Sequence, residues 1–470
     1  MIKSRLIEIL KTCSKPELRM LSKWLRSPAH NQREDVVLLY NYLLKDDHLW
    51  KDDHLEKSVA YPYTYPKEDY DDAKIRQTIF FFMKALEDFL IYQEVQQNEV
   101  QAKMTLSRVY RKRRLDRHFE KNMRSIKSLQ EKQNHQNWDH HRNKFYSLLE
   151  EYEFIVEHKR TVALNLQEVS DTLDVAYLAN KLRHACRMLS HQSVFKVQYE
   201  IGLMTQVLNY IESNKQLLET PAIAIYYYSY KATIEKENET HFHNLKSQII
   251  ENGYLFPKKE LGDTYILALN YCIGRMNLGY SNFVRESFDL YKEGLETEIL
   301  IQGGQISRFT FTNVVSNGTK LKEYTYVEDF IHNYKGYLDK KSREDVVQFC
   351  LSKLYYEKSD YNKAMRICAQ MDYGDILMNL VSKTMVLKMY YEQSELEVLE
   401  SYLESFRSYL SRKKATAYHK SNFKNIIRLT KKLLKTNPYA PKNKQKLKKE
   451  IETIKPLTER TWLLKQVEQL

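Results

Sequence analysis

Hydrophobic positions recur along this chain at intervals of three and four residues, the spacing that places side chains on one face of an α-helix. The clearest example follows Asp71 and consists of Ile75, Ile79, Phe82, Leu86 and Phe89. No segment alternates apolar and polar residues between glycine turns in the way that a β-strand requires. The pattern therefore predicts an all-α protein.

Capping residues mark several of the predicted helix starts. Ser14, Pro16 and Glu17 have the capping-box arrangement, in which serine and glutamate side chains accept hydrogen bonds from each other's backbone N–H groups. Thr220 and Pro221 predict a second start, with threonine as the cap and proline in the first turn. Both starts precede segments with helical periodicity.

Residues 103–133 are predicted to form a single long amphipathic helix. Its apolar side consists of Leu115, Phe119, Met123, Ile126 and Leu129. The opposite side carries a basic stripe of Arg113, Arg117, Lys121 and Arg124. We expect such a helix to bury the first side and to present the second to solvent or to an anionic partner.

A repeat is visible near the C-terminus. Residues 355–364 recur 35 positions later as residues 390–399, with four of the ten positions identical. Tetratricopeptide repeats have a period of about 34 residues, and this segment resembles them. The matching residues are Leu351, Ser352, Tyr355, Ala364 and, in the second copy, Tyr390. The resemblance implies a right-handed α-solenoid of antiparallel helix pairs, with small residues such as Ala364 where two helices cross.

The whole chain also resembles a family of helical proteins from Bacteroidetes-type bacteria. The segments that carry this resemblance are 24–31 (WLRSPAHN), 70–76 (YDDAKIR), 387–392 (LKMYYE) and 462–464 (WLL). The resemblance implies a helical architecture and brings no catalytic activity with it. We predict three regions: an N-terminal helical region at 1–100, a helical-hairpin solenoid at 101–410 and basic C-terminal capping helices at 411–470.

The amino-acid composition further restricts the kinds of protein that this chain can be. Only 11 glycines occur in 470 residues, whereas tight β-hairpins and phosphate-binding loops depend on glycine. The sequence has no apolar run of about 18 residues, so it predicts no transmembrane helix. The first residues lack the pattern of a secretory signal. The five cysteines form no C-x-x-C pair, so we expect reduced thiols in a cytoplasmic protein.

The net charge of +13 is distributed unevenly. Residues 411–470 contain 17 basic and 4 acidic residues, so they account for the whole excess. A second local excess, 11 basic against 3 acidic residues, lies at 101–132. The charge therefore points to two local patches rather than to a uniformly basic surface.

Five basic residues in the C-terminal region recur at helical spacing and form one positive stripe: Lys420, Lys424, Arg428, Lys431 and Lys435. Three interpretations of this stripe stay open. It contacts the phosphates of a nucleic acid, it contacts an acidic protein, or it is a solvated cap at the end of a repeat array.

Motifs for catalysis are missing from the sequence. Gly274 and Gly279 have the spacing of a phosphate loop, but Tyr280 follows where the loop needs lysine. Gly279 is better explained as the cap of a helix C-terminus. We predict no enzyme activity and no cofactor.

Two pairs of histidines are candidates for metal ligands. Residues 45–49 (KDDHL) are duplicated as residues 51–55, and carboxylates with imidazoles suit Zn²⁺ or Mn²⁺. However, a six-residue step places His48 and His54 about 120° apart on a helix. His241 and His243 also lie on different helical faces. We therefore predict no metal site.

Tyrosine is abundant, with 36 residues that include 226–228 and 230. Tyrosine is enriched in binding surfaces, but it is also a common core residue whose hydroxyl reaches the rim. Consecutive tyrosines on a helix cannot all face one groove, which favours packing.

The leading hypothesis is a non-catalytic scaffold that binds a protein or peptide along a helical-repeat surface. The alternative is a nucleic-acid-binding protein that uses the 101–132 and 411–470 patches.

Overall fold

The computed structural model describes residues 1–158, 163–195, 197–370, 372–413, 416–437 and 439–470. These residues form α-helices and short 3-10 helices, and the one extended pairing among them is a bridge between Gln302 and Gln305. The all-α prediction is confirmed over this part of the chain. In the same residues, no helix has both the length and the apolar character needed to cross a lipid bilayer.

The chain folds into two compact units. The first comprises Met1–Asn134 and Trp138–Ala176, and the second comprises His135–Asn137 and Tyr177–Leu470. The predicted boundary at 100/101 falls at the start of a helix in the first unit, and the one at 410/411 falls in the last turn of a helix in the second.

The described helices of the first unit are α1 (Arg5–Leu10), α2 (Lys15–Leu25), α3 (Glu34–Leu44), α4 (Lys57–Thr64), α5 (Asp72–Gln97), α6 (Glu99–Lys112), α7 (Asp116–Lys132) and α8 (Trp138–His158), with 3-10 helices at Lys45–Trp50 and Asp52–Leu55. The predicted capping box of α2 is present, because Ser14 and Glu17 each accept a backbone hydrogen bond from the other. Four of the five predicted apolar positions of α5 are fully buried, and Ile79 is partly buried against the same core.

The single helix predicted over 103–133 is wrong. A turn at Arg113–Leu115 divides the segment into α6 and α7, which pack against each other. Arg114 adopts a left-handed backbone conformation with φ of 54°, which ends α6. Leu115, predicted to lie on the buried side, precedes α7 and is 40% exposed. The periodicity continued through the turn, so spacing alone did not reveal the break.

Helix α9 (Leu166–Val194) extends from the first unit into the second. The described helices that follow are α10 (Met204–Ser213), α11 (Pro221–Ile234), α12 (Glu239–Asn252), α13 (Lys258–Asn277), α14 (Asn282–Glu296), α15 (Arg308–Lys320), α16 (Tyr324–Tyr334), α17 (Arg343–Glu357), α18 (Tyr361–Gln370), α19 (Ile376–Glu392), α20 (Leu396–Arg412), α21 (Ala417–Lys435), α22 (Pro441–Thr453) and α23 (Arg460–Gln469), with 3-10 helices at Lys215–Glu219, Gly253–Leu255 and Lys335–Tyr337.

Neighbouring helices of the second unit pack as pairs, among them α13 with α14, α15 with α16, α17 with α18 and α19 with α20. The first helices of successive pairs also meet, because α15 contacts α17 and α17 contacts α19. Helix α11 begins at Pro221, as predicted, although the Thr220 side chain makes no capping hydrogen bond. The C-terminal helices α21 and α23 share one hydrophobic core with α19 and α20.

Five of the described helix pairs are joined by the same tight turn. In each, one residue has a positive φ: Arg114 (54°), Gly279 (101°), Lys322 (62°), Ser359 (60°) and Ser394 (59°). The N–H of the next residue then donates to the carbonyl five positions earlier, as from Asp360 to Tyr355 and from Glu395 to Tyr390, both at 2.9 Å. This bond satisfies a carbonyl at the helix end. The predicted capping role of Gly279 is confirmed.

The residues predicted to pack the repeat lie in α17, α18 and α19. Ala364 and Ser352 are fully buried, and the Ser352 hydroxyl donates to the Phe349 carbonyl at 2.8 Å. Leu351, Tyr355 and Tyr390 are partly buried. The two small residues are therefore inaccessible to solvent, whereas the three larger ones reach the surface.

Candidate binding grooves

A cavity of about 680 Å³ opens between α18, α19 and α20. Its lining includes Arg366, Asp372, Lys383, Tyr390, Tyr402 and Tyr409, and we call it the tyrosine groove. The lining residues of α19 follow helical spacing, so one face of this helix forms the floor. The groove therefore combines aromatic rings with two cationic side chains and one carboxylate.

Lys383 occupies a half-buried position in the tyrosine groove. Its Nζ lies 4.6 Å from the centroid of the Tyr409 ring, within cation–π distance. The Tyr402 hydroxyl donates to the Lys383 carbonyl at 3.2 Å, which connects α20 to α19. Burial lowers the pKa of Lys383, whereas the Asp372 carboxylate acts in the opposite direction. A ligand carboxylate near Lys383 would therefore offset a desolvation cost.

The Tyr409 hydroxyl is shielded from solvent and has no hydrogen-bond partner among the described residues. A buried hydroxyl without a partner loses the hydrogen bonds that it makes in water. The nearby Cys368 Sγ lies 3.4 Å from the Ser382 Oγ, and burial raises the pKa of this thiol. The groove thus offers an unused hydrogen-bonding group beside a neutral thiol.

Helix α21 places the predicted basic stripe along one side. Lys424, Arg428 and Lys435 are exposed, whereas Lys420 and Lys431 are partly buried. The opposite side of α21 enters the core through Phe423, Ile426, Ile427, Leu429, Thr430 and Leu433. The predicted basic stripe therefore belongs to a single helix, Ala417–Lys435.

Part of the stripe is paired with carboxylates. Glu450 of α22 lies 2.5 Å from Arg428 and 2.8 Å from Lys432. Glu404 of α20 pairs with Lys431. These contacts connect α21 to its neighbours, so two residues of the stripe, Arg428 and Lys431, have a structural role as well as a charge, and Lys432 shares that role.

A second cavity, of about 400 Å³, lies between α21 and α22. Its cationic lining residues are Arg428, Lys431, Lys432, Lys435 and Lys446, and Glu450 is the one carboxylate among its lining residues. We call it the basic groove. Lys432 and Lys446 were missed as site residues because their position depends on how α22 packs against α21. The signal available in the sequence was the crowding of lysines at 442–449.

The basic residues predicted in the first unit are divided between two elements. Arg113 lies in the turn after α6, whereas Arg117, Lys121 and Arg124 are exposed on α7. Neighbouring basic residues of α6 form ion pairs with glutamates. Arg111 lies 2.7 Å from Glu150 and 2.5 Å from Glu157, both on α8. The positive excess at 101–132 is therefore partly neutralised by carboxylates that lie outside that segment.

The tyrosine run of α11 is mostly internal. Tyr226, Tyr227 and Tyr230 are buried, and Tyr228 is partly buried. The Tyr226 hydroxyl donates to Glu260, whose other carboxylate oxygen accepts from the Asn137 amide at 2.7 Å. Packing and internal hydrogen bonds therefore explain the run of tyrosines in α11.

The duplicated histidines lie together, contrary to the helical argument. His48 and His54 stack with ring centroids 4.1 Å apart and an interplanar angle of 2°. The segment is not an α-helix but two 3-10 helices, and Asp46 and Asp47 have positive φ values. In two stacked imidazole rings, the nitrogen lone pairs lie in parallel planes and do not point at a common metal ion. Among the described residues, no group of three or more His, Cys, Asp or Glu side chains is arranged to hold a metal.

The structure thus places two grooves in the second unit, one lined by tyrosines and one by cations. The repeat residue Tyr390 belongs to the first groove, and three residues of the predicted stripe belong to the second. In comparisons with known proteins, no family model, no curated protein and no solved structure matches the chain.

Proposed function

We propose that this protein is a non-catalytic adaptor that binds a peptide segment of a protein partner in the tyrosine groove. The observation that carries the proposal is the composition of this groove, with three tyrosine rings beside Lys383 and Arg366. Aromatic rings provide contact area at low entropic cost, and a few polar groups fix the orientation of a ligand. No catalytic constellation is needed for this role.

The helix pairs support an architecture suited to adaptors. Pairs that resemble tetratricopeptide repeats stack into a right-handed α-solenoid, whose surface continues from one pair to the next. The turns at Ser359 and Ser394, which lie 35 residues apart in the sequence, have the same backbone conformation. The tyrosine groove receives residues from both of the pairs that these turns close.

The chemistry of the groove defines the partner segment. Two cations against one carboxylate favour an acidic side chain near Lys383 and Arg366. The rings of Tyr390 and Tyr402 would pack against an apolar neighbour of that side chain. The Tyr409 hydroxyl would donate to a carbonyl of the bound peptide. We therefore propose an acidic segment with an adjacent apolar residue as the ligand.

The cysteines support action in the cytoplasm, where thiols stay reduced. All five are free, and Cys186, Cys272 and Cys350 are buried. Burial raises the pKa of each of these three thiols, which keeps them protonated and unreactive.

The test is selection of peptides from a random display library on the full chain, followed by fluorescence anisotropy with the selected sequences. We expect the selected peptides to contain Asp or Glu beside an apolar residue. Lys383→Glu and Tyr409→Ala should each weaken their binding by about tenfold or more, as at a binding hot spot.

Matched controls lie outside the groove. Lys340→Glu makes the same charge change at an exposed lysine, and Tyr254→Ala removes a tyrosine ring that is 73% exposed. Both should bind like the wild type. Selection of peptides without acidic residues, or equal affinities for the groove and control variants, would show that the groove is not the binding site.

A further inference from the structure

The basic groove has a chemistry that peptide binding in the tyrosine groove does not use. Five cationic side chains line it against one carboxylate, and an exposed aromatic residue, Tyr439, lies in the segment that joins its two helices. We infer that the basic groove binds the phosphates of a single-stranded nucleic acid, with a base stacked on Tyr439. This inference does not rest on the proposed adaptor function.

Positive charge remains in the groove after its internal ion pairs are counted. Glu450 is shared by Arg428 and Lys432, and Glu404 pairs with Lys431. Lys435 and Lys446 have no carboxylate within ion-pair distance among the described residues. These two lysines are available to bind phosphate oxygens. Arg428 and Lys432 also contribute, because the single carboxylate of Glu450 neutralises only one of their two positive charges. Clustered cations of this kind bind phosphates without reading sequence.

The groove is also organised before any ligand binds. Helix α21 is anchored by its buried side, including Ile427, Thr430 and Leu433. Glu450 holds the side chains of Arg428 and Lys432 towards the groove. Cations held in place lose less conformational freedom on binding than free surface lysines do. Arg428 and Lys432 are therefore oriented in advance, and Lys435 and Lys446 line the groove beside them.

Tyr439 selects the class of nucleic acid. Its side chain is 92% exposed, the highest value among the large hydrophobic side chains of the described residues. Its backbone N–H donates to the Asn437 side chain at 2.9 Å. The groove lining itself contains no aromatic residue. Phosphates would therefore occupy the groove and a base would stack outside it, and a base can stack on tyrosine only when it is unpaired.

The experiment measures binding of a fluorescently labelled oligo(dT) to the full chain by anisotropy over a series of salt concentrations. Each phosphate contact with a single strand contributes roughly −0.7 to the slope of log K against log salt. Contacts with Lys435 and Lys446 alone predict a slope of about −1.4, and contacts with Arg428 or Lys432 would make it steeper. A duplex of the same length and polyglutamate serve as competitors, and both should compete poorly.

Lys435→Glu combined with Lys446→Glu should weaken oligo(dT) binding by about tenfold or more and flatten the salt slope. These lysines are chosen because reversal of Arg428 or Lys431 would also break ion pairs between helices. The control combines Lys340→Glu with Lys341→Glu, which changes the net charge equally at an exposed turn in the same unit. It should retain binding.

Tyr439→Ala should weaken binding by about five- to a hundredfold, because stacking contributes about 1–3 kcal/mol per base and each 1.4 kcal/mol is tenfold in affinity. Tyr439→Phe should restore binding. The inference is overturned if oligo(dT) does not bind, or if the control reversal weakens binding as much as the groove reversal does. It is also overturned if polyglutamate competes as well as oligo(dT) does and Tyr439→Ala has no effect, because the groove would then be a site for acidic proteins.

Discussion

Asp35 organises the polar contacts of the N-terminal helices. Its carboxylate accepts hydrogen bonds from the Arg33 guanidinium at 2.7 Å, the Tyr65 hydroxyl at 2.7 Å and the Thr78 hydroxyl at 2.8 Å. These donors come from the start of α3, from the end of α4 and from α5. Burial raises the pKa of Asp35, but the hydrogen bonds outweigh it and lower the pKa from 3.8 to about 2.

Asp35 should therefore make stability depend on pH. A carboxyl group with a lowered folded-state pKa stabilises the fold above its unfolded pKa and loses that contribution as pH falls. The window runs from about 4 down to about 2. We expect Asp35→Asn to destabilise the protein at pH 7, and the difference from the wild type to shrink through this window. Urea denaturation at several pH values measures it. Asp88→Asn, at an exposed position of α5, is the control and should leave the pH profile unchanged.

The stacked histidines lead to a second expectation at this scale. His48 is buried and also packs on Tyr42, with ring centroids 4.8 Å apart. Changing both His48 and His54 to alanine should lower stability by about 1–3 kcal/mol through lost packing. Metal content, measured by mass spectrometry on protein purified without added metal, should be the same before and after. Stoichiometric zinc that disappears in the double variant would contradict this.

At the scale of helices and turns, the sequence was least informative about which residue of a turn adopts the left-handed backbone conformation. Ser359 and Ser394 occupy equivalent positions of the two copies, but the sequence did not reveal their left-handed backbone conformation. Four of the five turns of this type in the described residues use a residue other than glycine. Such residues adopt positive φ at a cost of about 1–2 kcal/mol. The break between α6 and α7 was missed for the same reason, since Arg114 gives no turn signal.

Ser359 and Ser394 should accept glycine with a gain in stability. Glycine removes the steric cost of positive φ, although it also increases the freedom of the unfolded chain. We expect Ser359→Gly to raise the free energy of unfolding by about 0.5–1 kcal/mol. Ser408→Gly, inside α20, should lower it by about the same amount. Chemical denaturation provides both values. A loss of stability in Ser359→Gly would mean that the serine side chain contributes more than the backbone strain costs.

Ala364 tests the packing of α17 against α18. The residue is fully buried, so a larger side chain has no space. Ala364→Leu should cost roughly 1–3 kcal/mol through overpacking. Ala369→Leu adds the same side chain at an exposed position of the same helix and should change stability little. If Ala364→Leu unfolds like the wild type, the two helices do not meet closely at this residue.

For the molecule as a whole, the sequence predicted the helical class and the basic stripe, whereas the two grooves required the packed structure. Arg366, Lys383 and Tyr409 are separated by up to 43 positions, and no local spacing connects them. Lys446 joins the stripe of α21 only because α22 packs beside that helix. Periodicity reports which side of one helix is buried, but a groove is formed by the exposed sides of several helices.

Glu392, the last residue of α19, connects distant parts of the second unit. Its carboxylate accepts hydrogen bonds from Tyr356 at 3.0 Å, Tyr361 at 2.6 Å and the Trp462 indole N–H at 2.6 Å. It therefore joins α19 to α17, α18 and α23. Burial and the neighbouring Glu392 charge raise the pKa of the Tyr356 hydroxyl, which remains a hydrogen-bond donor.

Loss of Glu392 should loosen these helices together. Glu392→Ala leaves the Tyr356 hydroxyl and the Trp462 N–H, which belong to buried side chains, without their acceptor. An unpaired buried donor costs about 1–3 kcal/mol, so we expect a loss of at least that size in the free energy of unfolding. Glu392→Gln keeps one acceptor oxygen and should lose less.

Hydrogen exchange provides the measurement that separates this role from a general loss of stability. Amides of α23 should exchange faster in Glu392→Ala than in Glu392→Gln under native conditions, because the bond to Trp462 anchors that helix. Glu400→Ala, which removes an exposed glutamate of α20, is the matched control and should leave α23 protected. If α23 keeps its protection in Glu392→Ala, the apolar contacts of Leu463 and Val467, both fully buried, are sufficient to hold the helix. Glu392 would then act only among α17, α18 and α19.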